Sequence, residues 1–285
     1  MKSDPQAPGQ AAPAGTLFVV ATPIGNLGDL SDRARSVLGE VAVVAAEDTR
    51  VSRRLIPAAN ASVRLVSVNE HSERRAVESL VATLCAGDDV ALVSDAGTPL
   101  ISDPGFRLVS AAHEAGVRVC PIPGACAAVA ALSAAGLASD RFLFEGFLPA
   151  RGGARRRRLE ALADQSATLI FYVPARDLEP VLADLAAMLG EARTATLARE
   201  LTKLHETVRR ASLSELLALV RADEQQRRGE AVLVVSGNPE PAPGISVAAL
   251  ARELATELPP SRAARVLARL SGLTRQQAWQ YLNTE

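Results

Sequence analysis

Aromatic residues are scarce in this sequence: they make up 3% of its 285 residues, with one Trp and two Tyr. A protein that binds single-stranded nucleic acid mainly by stacking bases on aromatic side chains needs more of them. Net charge is also almost absent, because 31 Lys and Arg face 32 Asp and Glu, which gives a formal charge of −1. This balance excludes a globally basic coat for nucleic acid but leaves room for a local basic patch.

Cysteine is equally rare, and Cys85, Cys120 and Cys126 show no C-x-x-C spacing. Their odd number and apolar neighbours predict buried free thiols in a reducing cytosol and no metal site. No run of about 18 uninterrupted apolar residues is present, so we expect no membrane-spanning helix and no membrane partner. Residues 1–15 lack the basic and apolar regions of a signal peptide, and we expect a disordered tail on a cytoplasmic protein.

The first half of the chain alternates short apolar runs with longer amphipathic ones. Alternation of this kind predicts βαβ units and a buried parallel sheet, here an N-terminal α/β cofactor domain over residues 16–137. Helices are predicted near 31–39, 50–56, 73–86 and 104–115. The predicted strands are Leu17–Ala21, Val41–Ala46, Val63–Val68, Val90–Ser94 and Val117–Pro121.

Residues 138–238 change pattern and predict a second α/β domain with a mixed sheet, because some neighbouring strands are too close for helical crossovers. Helices are predicted near 155–164, 177–189 and 213–223, and Ser212 with Glu215 predicts a capping box at the last of them. The predicted strands are Phe142–Glu145, Thr168–Tyr172, Thr194–Ala198, His205–Arg209 and Ala231–Val235.

The remainder of the chain has a linker composition around residues 238–244, rich in Pro, and then a helical pattern. We expect a small C-terminal helical unit over residues 246–285. Ser261 is the predicted N-cap of a helix in this unit, and Gly272 is predicted to separate two short helices.

Three loops rich in Gly and Pro follow strands of the predicted first sheet, at residues 22–26, 94–99 and 121–125. None contains Lys or a Gly-rich phosphate-binding motif, and Asp95 and Asp103 would repel a naked phosphate. A ligand with positive charge and an adenosine-like body fits better, and S-adenosylmethionine is such a molecule. The alternative is that these loops only turn the chain between strands.

Polar residues also follow the second and third predicted strands, at residues 47–50 and 69–73. Because ligands bind beyond the carboxyl ends of parallel strands, these side chains are expected to face the same cleft as the loops. His71 could accept a proton there. The alternative is helix capping, since Asp48 and Ser72 both precede predicted helices.

Five arginines lie within residues 151–158, and four of them, Arg155 to Arg158, are predicted to open a helix. The helix dipole disfavours cations at that end, which favours an RNA-phosphate patch over a simple solvated run.

Several long strings in this sequence match a known family. The strings are 22–27 (TPIGNL), 46–50 (AEDTR), 92–105 (LVSDAGTPLISDPG), 132–137 (LSAAGL), 139–142 (SDRF), 145–149 (EGFLP), 168–172 (TLIFY) and 198–203 (ARELTK). They resemble the bacterial 16S ribosomal RNA (cytidine-2'-O)-methyltransferases, a family within the tetrapyrrole methylase superfamily. The resemblance implies S-adenosylmethionine held between two α/β domains, a homodimer, and methylation of a cytidine ribose in the decoding region of the small ribosomal subunit.

The resemblance and the loops together give three sets of expected site residues. His71 and Glu70 are the expected proton acceptors, and no metal is expected. The expected substrate-binding residues are Asp48, Arg50, Arg155, Arg156, Arg157, Arg158 and Lys203. The expected cofactor-binding residues are Pro23, Asp95, Ala96, Gly97, Thr98, Ile101, Ser102, Gly124, Cys126, Ala127, Tyr172 and Ala198.

Departures from the family pattern occur at Val173–Arg176, where the family usually has Glu and later His-Arg, and at Asn69, where it has His. Two other functions fit parts of the sequence. One is C-methylation of a tetrapyrrole, on the same fold. The other is a ligand-sensing α/β protein whose C-terminal helix-turn-helix, at Ser261–Leu282, binds DNA.

Overall fold

The structure is a computed structural model, and it describes residues 14–68, 73–239 and 247–282. The chain divides into two compact units, Met1–Gly237 and Asn238–Glu285. The first unit contains two five-stranded sheets, and the second consists of helices.

The first sheet is parallel throughout, as the alternating pattern predicts. Its strands are β1 (Thr16–Val20), β2 (Val43–Ala46), β3 (Arg64–Ser67), β4 (Val90–Val93) and β5 (Arg118–Ile122). They are arranged in the order β3-β2-β4-β1-β5. Every residue of β2 and β4 is buried, which explains why these strands read as continuous apolar runs.

The helices of this half cover both faces of the sheet. They are α1 (Asp32–Glu40), α2 (Thr49–Ser52), α3 (Glu73–Cys85), α4 (Phe106–Glu114) and α5 (Ala127–Ala134). Leu38 of α1 packs on one face, and Leu80 of α3 and Leu108 of α4 pack on the other. The helix predicted at 50–56 is α2 followed by a 3-10 turn. The sequence analysis did not predict α5. This helix is rich in Ala and almost entirely apolar, so its apolar residues show no helical period.

The second sheet is mixed, as expected. Its strands are β6 (Phe142–Phe147), β7 (Thr168–Pro174), β8 (Thr194–Arg199), β9 (Thr207–Ser212) and β10 (Glu230–Val235). They are arranged in the order β6-β7-β10-β8-β9. Only β6 and β7 run parallel, and the other neighbouring pairs are antiparallel.

One face of the second sheet is covered by α6 (Gly152–Glu160), α7 (Leu178–Leu189) and α8 (Leu213–Ala222), around the fully buried Phe171. The predicted capping box of α8 is confirmed. The opposite face, with Ile170 and Val232, packs against α5. This second face therefore points towards the loops of the first sheet.

The second unit contains α9 (Val247–Glu257), α10 (Pro260–Ser271) and α11 (Arg275–Leu282). The prediction that Ser261 caps a helix is wrong. Pro259 is the N-cap of α10, and Pro260 occupies its first turn, where a missing N–H costs little. Gly272 separates α10 from α11, as predicted, and it ends α10 in a left-handed conformation with φ of 70°.

The three cysteines are free thiols, but the expectation that they are buried is wrong. Cys85 is exposed on the last turn of α3, and Cys120 and Cys126 are half-buried. Within the described ranges, no helix combines the length and the apolar character needed to cross a bilayer.

Candidate cofactor and active site

The loops after β1 and β4 are held together by a pair of backbone hydrogen bonds. The Thr22 N–H donates to the Gly97 carbonyl at 2.8 Å, and the Gly97 N–H donates to the Thr22 carbonyl at 3.1 Å. The buried Thr22 hydroxyl donates to the Ser94 carbonyl at 3.2 Å. These contacts fix the backbone of both loops at the carboxyl edge of the sheet.

Two further contacts bring in the loops after β5 and β2. The Thr98 hydroxyl donates to the Ala125 carbonyl at 3.0 Å, and the Asp48 N–H donates to Asp95 Oδ1 at 3.0 Å. Four loops that are distant in sequence thus form one connected rim. Because parallel strands end at the same edge, this rim is where an open α/β sheet binds ligands.

Tyr172 is the main aromatic contribution from the second sheet. Its hydroxyl accepts a hydrogen bond from the Ala128 N–H at 3.2 Å, in the first turn of α5. Its ring makes edge contacts with Phe144 and Phe147, at centroid distances of 5.0 and 5.5 Å. Burial, with a contribution from Cys126, raises the pKa of Tyr172 to about 12, so the phenol stays protonated at neutral pH.

A charged cluster on the second sheet is built from Glu200, Lys203 and Glu230. The Lys203 ammonium donates to Glu200 at 3.0 Å and to Glu230 at 2.8 Å, while Glu200 also accepts from the Glu230 N–H at 2.9 Å. Burial alone would lower the pKa of Lys203, but its bonds to the two carboxylates outweigh this and raise the pKa. Lys203 therefore stays charged and can only donate.

The rim and the second sheet enclose a cavity of about 470 Å³, a size typical of small-ligand sites. The first sheet lines it with residues of its loops and of α5, and the second sheet with residues of β6, β7, β8, β10 and their loops. The lining residues are Ile24, Glu47, Asp95, Ala96, Gly97, Thr98, Ile101, Ser102, Asp103, Ala127, Phe147, Tyr172, Val173, Pro174, Ala198, Glu200, Leu201, Lys203, Gly229, Glu230, Ala231 and Val232.

The part of the lining that comes from the first sheet is acidic, with Glu47, Asp95 and Asp103 and no cation. Burial raises the pKa of Glu47, and the charges of Asp95 and Asp103 raise it further. Burial also raises the pKa of Asp103, against an opposing hydrogen bond from Ser94. Carboxylates that repel one another in this way favour a cationic ligand. In the described parts of the chain, no group of three or more His, Cys, Asp or Glu is placed to hold a metal ion.

Most residues predicted to bind cofactor are brought together here. The predicted residues in the cavity wall are Asp95, Ala96, Gly97, Thr98, Ile101, Ser102, Ala127, Tyr172 and Ala198. Pro23, Gly124 and Cys126 do not reach the wall. Gly124 packs instead on Ala21 at the end of β1, and Cys126 is the N-cap of α5 beside the Tyr172 hydroxyl.

The wall also contains residues that sequence reasoning missed, above all Phe147 and the β10 segment from Gly229 to Val232. Phe147 lies on β6, within the matched string 145–149, whereas residues 229–232 belong to no motif. Residues 229–232 reach the cavity because β10 pairs with both β7 and β8, in the centre of the second sheet. Only the strand order could have revealed this.

Of the predicted substrate-binding residues, Lys203 lines the cavity and Asp48 and Arg50 do not. Asp48 caps α2 by accepting from the Arg50 N–H at 2.8 Å, as the capping alternative predicts. It also forms an ion pair of 2.8 Å with the exposed Arg50 guanidinium. Hydrogen bonds from Arg50 lower the pKa of Asp48 to about 2.

The prediction that four arginines open a helix is wrong. Helix α6 begins at Gly152, so Arg155 lies beyond its first three residues and Arg157 and Arg158 lie in its last turn, where the dipole favours cations. Arg155 is buried and pairs with Asp184 at 2.7 Å. Arg158 pairs with both oxygens of Glu145. Of Arg155 to Arg158, the exposed Arg157 has no acidic partner among the described residues, and the exposed Arg156 has only a long contact of 3.9 Å with Asp184.

The predicted proton acceptors, Glu70 and His71, lie outside the residues that the structure describes. They follow β3, which ends at Ser67.

The family is decided by sequence comparison. The profile described as Tetrapyrrole (Corrin/Porphyrin) Methylases matches residues 16–217. This chain belongs to the tetrapyrrole methylase family. Relatives named ribosomal RNA small subunit methyltransferase I include one from Pseudomonas aeruginosa, 51% identical over 94% of this chain and 96% of its own length. Another, from Escherichia coli O157:H7, is 48% identical over 94% of each chain.

Solved structures of the family share the fold. The methyltransferase CobJ has a TM-score of 0.59 at 20% identity, over 79% of this chain and 95% of its own. A uroporphyrin-III C-methyltransferase from Thermus thermophilus has a TM-score of 0.53 at 23% identity, over 78% and 94%. The predicted pair of α/β domains is thereby confirmed. The sequence relatives are named methyltransferases, which supports methyl transfer as the activity.

Proposed function

We propose that this protein uses S-adenosylmethionine to methylate the ribose 2'-oxygen of a cytidine in 16S ribosomal RNA of the small subunit. The observation that carries the proposal is the cavity between an acidic loop rim and the second sheet. The name of the 51% identical relative supports ribosomal RNA as the substrate. The resemblance noted in the sequence motifs supports cytidine and the 2'-oxygen, together with a cytoplasmic homodimer.

The chemistry of the cavity wall fits S-adenosylmethionine. Glu47, Asp95 and Asp103 suit a ligand that carries sulfonium and ammonium charges, and apolar residues such as Ile101 and Val232 suit its adenosine body. When bound, S-adenosylmethionine supplies a methyl group that is already activated on a positively charged sulfur. The residues proposed to hold it are Asp95 to Thr98, Ile101, Ser102, Ala127, Tyr172 and Ala198, with Pro23, Gly124 and Cys126 behind or beside this wall.

The protein then needs to align the ribose and remove its proton. Alignment of two reactants can contribute about 7–11 kcal/mol to lowering a barrier. We propose that Lys203, held by Glu200 and Glu230, positions the RNA by donating hydrogen bonds. Asp48 and Arg50 are proposed to orient the ribose from the rim. Arg156 and Arg157 are proposed to contact phosphate.

The proton acceptor is proposed to be His71 or Glu70. Tyr172 and Lys203 are unsuited to this role, because both have raised pKa values and stay protonated at neutral pH. A general base typically contributes about 10²–10⁴-fold in rate. If His71 accepts the proton, His71→Ala is expected to lower turnover by about 10²-fold or more, with the affinity for S-adenosylmethionine unchanged. Wild-type turnover in His71→Ala would assign the role to Glu70.

The deciding experiment is transfer of a labelled methyl group by the full-length protein. The acceptors are small ribosomal subunits, free 16S rRNA, duplex DNA and a tetrapyrrole, and the labelled nucleoside is identified after digestion. We expect label in 2'-O-methylcytidine. Label on a base, on DNA or on the tetrapyrrole carbon skeleton would overturn the proposal.

A further inference from the structure

The C-terminal unit has its own small core. Helices α9, α10 and α11 pack around the buried Ala251, Leu267 and Ala278. The whole unit, Asn238–Glu285, has five Arg and four Glu, but residues 258–282 contain four Arg and no acidic residue. Positive charge is therefore concentrated on α10 and α11 within this unit.

Helix α10 places three arginines on one face. Arg262, Arg265 and Arg269 are separated by three and four residues, a spacing that puts them on the side opposite the buried Ala264 and Leu267. All three are exposed, and no ion pair or side-chain hydrogen bond joins them to the described residues. Like charges aligned in this way repel one another unless an anion lies against them.

Helix α11 adds an arginine and aromatic side chains. Thr274 and Gln277 form a capping pair at its start, in which Gln277 Oε1 accepts from the Thr274 N–H at 2.9 Å and the Gln277 N–H donates to the Thr274 hydroxyl at 3.3 Å. Arg275 and Trp279 follow four residues apart and share a side of the helix. Trp279 is 44% exposed and Tyr281 is 43% exposed.

The few aromatic residues of the chain are not evenly distributed. The one Trp of the chain and one of its two Tyr lie on a single eight-residue helix, which packs against the helix that carries the row of arginines. Unpaired RNA bases stack on aromatic rings, and arginines neutralise the flanking phosphates. A paired duplex offers no free base face to a tryptophan, so the combination favours single-stranded RNA over duplex DNA.

We propose that Arg262, Arg265 and Arg269 of α10, with Arg275 and Trp279 of α11, form a second RNA-binding surface, distinct from the cavity. The arginines contact phosphates, and Trp279 stacks on an unpaired base. We infer that the bound RNA is an unpaired segment of the substrate that the protein methylates. Only this identity of the RNA rests on the proposed function.

The first test uses the triple variant Arg262→Gln, Arg265→Gln, Arg269→Gln in the full-length protein. Each phosphate contact contributes about 0.7 to the slope of log affinity against log salt for single strands. We expect the slope for an rRNA fragment to flatten by about 2 units, KM for RNA to rise, and S-adenosylmethionine affinity to stay constant. A matched control replaces three other exposed arginines, Arg33, Arg35 and Arg118, by Gln.

The second test uses the fluorescence of Trp279. Because Trp279 is the only tryptophan, its fluorescence reports directly on this surface. We expect quenching by an unpaired oligoribonucleotide and little change with duplex DNA of the same length. Trp279→Ala is expected to weaken RNA binding by about 5- to 100-fold, and Trp279→Phe to retain most of it.

The outcomes separate this inference from the proposed function. Unchanged salt slopes, an equal loss in the Arg33, Arg35, Arg118 control, or tighter binding of duplex DNA would each overturn the second surface, even if the wild type methylates rRNA. The opposite outcome is that RNA quenches Trp279 but the protein transfers no methyl group to rRNA. That result would overturn the proposed function and would still support the second RNA-binding surface.

Discussion

At the residue scale, backbone strain coincides with the cavity. Four non-glycine residues in the described ranges have positive φ: Leu100 (73°), Ser102 (69°), Glu200 (50°) and Thr202 (67°). They lie in the two loops that contribute Ile101 and Leu201 to the cavity wall. Such conformations are unfavourable for residues with a side chain and concentrate at ligand sites. The strain therefore independently points to these two loops.

Gly97 gives the sharpest test of the cofactor loop. Its φ is +88°, and an added Cβ would lie 3.3 Å from Ile24 Cγ2, in the cavity wall. Gly97→Val therefore has to displace Ile24 or the Thr22–Gly97 backbone pair. We expect calorimetric titration to show a loss of S-adenosylmethionine affinity of more than about tenfold, with Gly97→Ala intermediate.

The matched control for this prediction is Gly190→Ala. Gly190 ends α7 with a φ of +104°, and nothing lies within 4 Å of an added Cβ. The control thus carries a left-handed backbone penalty without touching the cavity. Unchanged cofactor affinity in Gly97→Val, with circular dichroism of a folded protein, would remove this loop from the site.

At the scale of the element, α6 shows how helix position decides what an arginine can do. Removing Arg155 would leave the largely buried Asp184 with only Arg156, at 3.9 Å, and breaking a buried pair typically costs about 3–5 kcal/mol. Arg158 already forms an ion pair with Glu145. Among Arg155 to Arg158, the exposed Arg156 and Arg157 are the two that can meet phosphate.

A double variant, Arg156→Gln with Arg157→Gln, tests this division. Two phosphate contacts are expected to flatten the slope of log RNA affinity against log salt by about 1.4–1.8 units, while the methylated nucleotide stays the same. Filter binding at several salt concentrations measures the slope. The control is Arg158→Gln, for which we expect little change in the slope. Equal slopes for the double variant and the wild type would mean that Arg156 and Arg157 are only solvated and do not contact phosphate.

At the scale of the whole molecule, the cavity is acidic although the chain is nearly neutral. Burial raises the pKa of Glu47 and Asp103 above their ordinary values of 4.5 and 3.8. Raised values mean that the folded protein holds these protons more tightly. The negative charge that attracts a cationic ligand is therefore lost as the pH falls through these raised values, at a higher pH than for ordinary carboxyls.

S-adenosylmethionine affinity is accordingly expected to decrease as the pH is lowered towards the raised pKa values of Glu47 and Asp103, and binding should release protons. Titration calorimetry in buffers of different ionisation enthalpy measures both effects. Asp103→Asn should reduce the pH dependence. Asp48→Asn should not, because Asp48 has a pKa of about 2 and lies outside the cavity wall. A pH-independent affinity in the wild type would contradict the role of these carboxylates.

Much of this protein was determined by local sequence. The first-sheet strands lie within two residues of their predicted ends, because buried parallel strands read as apolar runs. The capping box of Ser212 and Glu215 follows from side chains three residues apart. The loop from Asp95 to Ser102 was recognisable because Asp95, Gly97 and Pro99 occur together in one short segment.

Contacts between distant segments were decided only by tertiary structure. β10 brings Gly229–Val232 to the cavity through its pairing with β7 and β8, and Arg155 is buried because Asp184 lies beside it from the next helix. Lys203 gains its fixed position from Glu230, which is 27 residues away. Hydrophobic periodicity and short motifs give information only about residues that are neighbours within one helix, strand or loop. Strand order, partner choice and burial depend on how elements pack, which no single segment of the sequence encodes.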